Sequence, residues 1–361
     1  MRYRKVPHTE LVVSELGFGT MNFGGQVSKS TSFSLLDQAT KEYGINLIDT
    51  AEIYPEPAAA STTGNSEKFI GEWLKQHKSS SIRENIVLST KICGFSNNID
   101  WCRAGGVGTR LTPEQIIEAV DVQLLRLGTD YIDLLQFHWP DRNYDVPMNG
   151  ALFTYGHQRT DATPIETQLE AIASLLKAGK IRAFGLSNET PYGVTSFVKA
   201  AEYKSLPRPA TLQNTLNLLE GRNELNMGIR EACAPENGNL GLIAHSPLAG
   251  GALTGKYVDL KAAPRSARLR KYAGYMNRYV SDPATQAVQA LLEVAQDYDI
   301  PLSALALAWV YSEPAVLSTL LGATNPQQLR ENVQALNLAP LESQLQAALD
   351  AVCQVHVDPT K

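Results

Sequence analysis

Residues 45–54 read Ile45-Asn-Leu-Ile-Asp49-Thr-Ala-Glu-Ile-Tyr54, a short apolar run that closes on a carboxylate and is followed five residues later by a phenol. A strand covered on both faces is a near-continuous apolar run, so Ile45, Leu47 and Ile48 predict a buried parallel strand over 45–49. In a (β/α) barrel, catalytic groups stand at the C-terminal ends of strands and in the loops that follow. Asp49 and Tyr54 would then sit at the mouth of such a barrel. An Asp helix cap with a packed Tyr beside it accounts for the same residues, so the rest of the chain must decide.

Outward from this stretch, strand-like runs alternate with helical periodicity. Residues 2–16 suggest a hairpin around Pro7-His8-Thr9-Glu10 that plugs one end of the fold, and Leu16–Thr20 is a short strand. Strands are then expected at 45–49, 86–91, 131–138, 181–187, 210–213, 241–246 and 316–321. Helices are expected at 32–43, 66–77, 112–127, 164–178, 191–204, 224–234, 284–298, 301–312 and 326–336. Eight strands, each followed by at least one helix, predict a (β/α)8 TIM barrel with an N-terminal β-hairpin, as one domain over residues 1–361. A doubly wound sheet lacks its fingerprint, because Gly17 and Gly19 are followed by Asn22 where a third glycine belongs. Long connections at 92–111, 139–163 and 247–283 all follow strands, so they crowd the C-terminal face and build pocket walls there. Residues from 337 onward read as a tail.

Composition narrows the function. The 361 residues are 43% hydrophobic and carry a net charge of −5, which gives no basic footprint for nucleic acid. No apolar run approaches the roughly 20 residues needed to span a bilayer, so a soluble, cytoplasmic protein is expected. Cys93, Cys102, Cys233 and Cys353 form no Cys-x-x-Cys pair, which suggests reduced thiols and no structural metal. Gly250-x4-Gly255-Lys256 spells most of a P-loop. Tyr257 replaces the hydroxyl that would hold Mg²⁺ there, and Pro247 interrupts the strand-to-helix run.

The polar residues at the expected strand ends are Asp49, Lys91, His138, Ser187-Asn188, Gln213 and His245. Each alone has a structural explanation; together they form a convergent set around one barrel mouth. Tyr54 is the natural acid. A nearby Lys91 ammonium would lower its ordinary pKa of about 10, Asp49 would hold the lysine proton, and His138 would bond the reacting oxygen. That set polarises and protonates a developing oxygen anion and contains no obvious nucleophile, as carbonyl reduction requires.

The chain resembles the aldo-keto reductases over nearly its whole length, and most of all the subgroup of bacterial Tas-type reductases and potassium-channel β subunits. The resemblance rests on Asp49-x4-Tyr54, Lys91 and His138, on Gly19-Thr20-Met21, His138-Trp139-Pro140, Gly185-Leu186-Ser187-Asn188 and Gln213-Asn214, and on Leu253-Thr254-Gly255-Lys256-Tyr257, Gly322-Ala323-Thr324 and Gln328-Leu329-x-Glu331-Asn332. It implies a barrel that binds NADP(H) in extended form and reduces aldehyde or ketone carbonyls of a small-molecule substrate, with Tyr54 as proton donor. Its alternative implication is an NADP(H)-binding, redox-sensing regulatory subunit of slow turnover. Carried over, Ser187, Asn188 and Gln213 would hold the nicotinamide carboxamide, near Gly19, Thr20, Met21 and Asp49. Ser246, Pro247 and Leu248 would cover the pyrophosphate, with Lys256 and Arg268 neutralising it. Gly322, Thr324, Gln328, Glu331 and Asn332 would take the adenosine end. Met21, Ile53, Tyr54, His138, Trp139 and the aromatics Tyr144, Phe153 and Tyr155 suggest an apolar substrate pocket. Two departures stand out. NADPH preference would rest on Lys256, Arg268 and Arg330, and His245 replaces the aromatic ring expected against the nicotinamide. An imidazole there would become cationic below about pH 6 and weaken NADP⁺ binding more than NADPH binding.

Overall fold

The computed structural model describes residues 1–142 and 159–361, so Tyr144, Phe153 and Tyr155 lie outside the described residues. Two short strands, β1 (Tyr3–Lys5) and β2 (Val12–Ser14), pair antiparallel as the expected hairpin. Eight further strands follow: β3 (Leu16–Gly19), β4 (Leu47–Asp49), β5 (Val87–Ile92), β6 (Ile132–Phe137), β7 (Ile181–Ser187), β8 (Thr211–Thr215), β9 (Gly241–His245) and β10 (Val316–Leu321). Each pairs in parallel with the next, and β10 returns to β3, so the sheet closes into the barrel the alternation predicts.

Apolar residues build the barrel in two shells. Inside, Leu47, Val87, Leu134, Ala183, Ile243 and Leu320 pack with Val6, Leu11 and Val13 from the hairpin region, which therefore stops the N-terminal end of the barrel. Outside, Leu16, Ile48, Leu88, Leu135, Phe184 and Leu212 meet the helices in one continuous core. With one end plugged and the walls sealed, the opposite mouth is left for chemistry.

Local sequence fixes where the helices begin. Thr112 and Thr190 cap helices Pro113–Leu127 and Pro191–Lys204, and Asn325 caps Pro326–Gln334; each cap side chain accepts a backbone N–H of the first turn. In all three the next residue is proline, whose fixed φ and missing N–H suit the first helical position. Helix Asn65–Gln76 turns Ile70, Trp73 and Leu74 inward. Its Gly71 lies so close to the next helix that a Cβ would stand 2.3 Å from the Arg126 carbonyl oxygen.

Two expectations need correction. The tail contains helix Ser343–Val355, which buries Leu345, Leu349 and Cys353 at a spacing of four. The helix expected over 224–234 is broken into short turns, because Gly228 takes a φ of 140° that no helix accommodates. Connection 247–283 holds turns at Ala249–Thr254, Arg268–Lys271 and Asn277–Val280. No helix among the described residues is long and apolar enough to cross a membrane.

Candidate active site

Asp49 is the last residue of β4 and is buried, and four side chains from three other strands converge on it. Lys91, from β5, donates to Oδ1, and Ser89 Oγ (3.0 Å), Gln213 Nε2 (3.0 Å) and Gln136 Nε2 (3.3 Å) donate to Oδ2. Lys91 also bonds the Thr50 carbonyl at 2.9 Å. Burial lowers the lysine pKa and the Asp49 charge opposes it, so the carboxylate is what keeps an ammonium tenable at this depth.

The Lys91 ammonium stands 5.1 Å from the Tyr54 ring centroid, and the rings of Tyr54 and His138 meet edge-on at 5.7 Å. The four residues expected to act together are therefore brought together. Their electrostatics differ from the expectation in one respect. Burial pushes the Tyr54 phenol well above 10, Asp49 and Glu56 reinforce it, and Arg268 is the cation that opposes it. Desolvation dominates here, so the phenol holds its proton. Burial, helped by Lys91 and His245, likewise keeps His138 neutral.

Asp49, Tyr54 and His138 line one end of a cavity of about 830 Å³. The wall continues through Gly19, Met21, Ser187, Asn188, Gln213, His245, Ser246, Pro247, Leu248, Lys256 and Arg268. It ends at Gly322, Thr324, Gln328, Glu331 and Asn332. Lys256 and Arg268 make no ion pair among the described residues; Arg268 donates to Asn22 Oδ1, and Lys256 loses basicity through burial and the like charge of Arg268. A Cβ on Gly251, which adopts a φ of 97°, would lie 3.1 Å from the Lys256 ammonium, so glycine lets that cation lie against the loop. At the far end Gln328 Oε1 accepts both the Thr324 N–H (2.9 Å) and its hydroxyl (3.0 Å), while Asn332 donates to the Gly322 carbonyl (3.1 Å). These bonds shape the start of helix Pro326–Gln334, where backbone N–H groups favour phosphate.

Five expected residues stand off the wall. Thr20 is buried and donates to the Asp49 carbonyl at 2.9 Å, and Lys91 lies behind Asp49. Ile53 and Trp139 pack under the mouth with Ala51, Tyr54 and Cys93, the Trp139 indole donating to the Phe95 carbonyl. Arg330 is exposed and away from the cavity. His245 is half-buried, and its pKa is pushed down to about 3 by desolvation and by the charges of Lys91 and Arg278. The expected acid titration of this imidazole is therefore corrected: it stays neutral over the physiological range. Residues missed from the sequence include Asn22, Gln26, Lys271, Tyr275 and Arg278 on the same wall. Among the described residues no cluster of His, Cys, Asp and Glu could hold a metal.

The family model for the aldo/keto reductase family matches residues 15–354. The chain belongs to the aldo-keto reductase family. Protein tas of Escherichia coli (strain K12) is 39% identical over 99% of both chains. An aldo-keto reductase of Babesia bovis is 42% identical over 69% of this chain and 88% of its own. A probable voltage-gated potassium channel subunit beta of Arabidopsis thaliana is 30% identical over 98% of this chain and 96% of its own. As an aldo-keto reductase the chain is an oxidoreductase of the carbonyl-reducing class, and its family works with nicotinamide cofactors.

Proposed function

We propose that this aldo-keto reductase, one barrel domain, is an NADPH-dependent reductase of aldehyde or ketone carbonyls in which Tyr54 donates the proton. The observation that carries the reading is the one cavity that runs from Tyr54 and His138 to the start of helix Pro326–Gln334, along which Lys256 and Arg268 make no ion pair among the described residues. Its length and polarity suit an extended dinucleotide, and the two cations suit its phosphates. When bound, NADPH supplies a hydride.

The chain's own groups do the rest. Tyr54 and His138 border the space where a carbonyl oxygen would be held, the phenol protonated and the imidazole neutral. As negative charge develops on that oxygen, it becomes far more basic than a phenolate, so a phenol of raised pKa still releases its proton to it. The Lys91 charge, 5.1 Å from the ring, then stabilises the phenolate left behind. Asp49 holds Lys91 in place for that moment. Preference for NADPH over NADH is assigned to Lys256 and Arg268, joined by Lys271 on the same wall, with Arg330 no longer included.

Steady-state oxidation of NADPH and of NADH against a broad aldehyde and ketone panel tests this. Turnover with NADPH is expected, and no turnover with any carbonyl compound would overturn it. The likeness to the potassium channel subunit beta favours a second reading, a nicotinamide-binding regulatory subunit. Saturable NADPH binding with almost no turnover across the panel would select it.

A further inference from the structure

His245, at the end of β9, touches three polar side chains, and the polarity of every bond around it can be assigned. The His138 carbonyl oxygen can only accept, so the Asn188 atom 2.9 Å from it is the amide nitrogen. Asn188 Oδ1 therefore faces the other way, toward His245 Nε2 at 3.3 Å. An amide oxygen also only accepts, so Nε2 carries the proton. The same nitrogen lies 3.3 Å from Thr215 Oγ1. The imidazole is neutral, with burial and the charges of Lys91 and Arg278 all opposing protonation. Nδ1 is therefore bare and accepts from the Ser246 hydroxyl at 3.1 Å. The result is one directed chain, from Ser246 to His245 to Asn188 to the His138 backbone.

The two residues that flank His245 in this chain have unusual backbone. Asn188 has a φ of 50° and Ser246 a φ of 56°, a region that residues other than glycine enter at a cost and keep only where their surroundings enforce it. The remaining amide proton of Asn188 is directed at Ser187 Oγ at 3.3 Å, and the Ser187 hydroxyl donates to the Gln213 carbonyl at 2.9 Å. With its amide protons used, Asn188 offers the cavity a lone pair on Oδ1.

We propose that His245 is a positioning residue that fixes the amide of Asn188 with its oxygen available to the cavity, and ties it to the loop opening at Ser246. It rests on the cofactor reading above, in which Asn188 meets the carboxamide and Ser246 begins the phosphate cover. The ligand group selected by a held acceptor is a hydrogen-bond donor, the carboxamide NH₂.

The test measures NADPH dissociation constants by fluorescence for the wild type, His245→Phe, His245→Gln, Asn188→Ala and the His245→Phe/Asn188→Ala double variant. Loss of the donor in His245→Phe should weaken NADPH about three- to tenfold, the range of one neutral hydrogen bond. His245→Gln keeps an N–H at the position of Nε2 and should stay within about twofold of wild type. In the Asn188→Ala background, His245→Phe should add nothing, because the two act through one bond. Equal losses in His245→Phe and His245→Gln, or additive losses in the double variant, would overturn the proposal. Absence of saturable NADPH binding by the wild type would instead overturn the cofactor reading beneath it.

Discussion

Glu56, two residues beyond Tyr54, is a buried carboxyl whose only direct hydrogen bond among the described residues runs from the Ala58 N–H, at 2.9 Å. Burial pushes its pKa from 4.5 to about 7, against the pull of Ala58 and Arg268. Each pH unit of displacement is worth about 1.4 kcal/mol, so the ionised carboxylate costs the folded state ~3 kcal/mol. The folded pKa is the higher one, so this stability is fully present below about pH 4.5 and is lost as pH rises through about 7. Glu56→Gln removes the charge and keeps an oxygen for the Ala58 N–H. Its stability relative to wild type should therefore improve by about 2.5 kcal/mol between pH 5 and pH 8. Urea unfolding followed by the fluorescence of the four tryptophans at both pH values measures this difference. A gap between the two proteins that is the same at pH 5 and pH 8 would refute the argument, since an uncharged packing defect has no reason to follow pH.

Tyr54→Phe should lower kcat for carbonyl reduction by about 10²–10⁴ while leaving the NADPH dissociation constant nearly unchanged, because it removes a proton donor and no part of the cofactor wall; stopped-flow turnover and fluorescence titration check the two halves. The ratio of NADP⁺ to NADPH dissociation constants should stay flat from pH 5.5 to 8 as far as His245 is concerned, since its pKa lies near 3; a change in that ratio that disappears in His245→Phe would contradict the burial argument. Arg103→Met leaves Glu52 as an uncompensated buried carboxylate beneath the mouth, which should cost about 3–5 kcal/mol in thermal or urea unfolding.

The barrel was readable because its evidence is repetitive. Strands such as Leu47–Asp49 and Ile132–Phe137 are buried on both faces and so appear as apolar runs, while proline after Thr112, Thr190 and Asn325 announces helix starts. The positions of Asp49, Lys91 and His138 at strand ends were readable for the same reason. Their protonation was not: it depends on how deeply Tyr54 and His245 are enclosed, a property of distant segments closing over them. Lys271, Tyr275 and Arg278 sit in a connection whose short turns have no periodicity to mark them, and they reach the cavity only through its path over the barrel. Helix Ser343–Val355 did carry a signal, apolar residues at 345, 349 and 353, diluted by its glutamines and alanines.

The carboxylate of Asp49 gathers Ser89 and Lys91 from β5, Gln136 from β6 and Gln213 from β8. Its partners among the described residues are supplied by barrel strands, and none of these comes from a connecting loop. The charge at the centre of the site is thus part of the scaffold's own interior layer, while the cleft's reach over a ligand is left to the connections above it. A barrel wired in this way can exchange those connections, and with them its substrate, without disturbing the charged centre. The same wiring leaves little room for experiment at Asp49 itself, where a change is felt at once by three other strands of the wall.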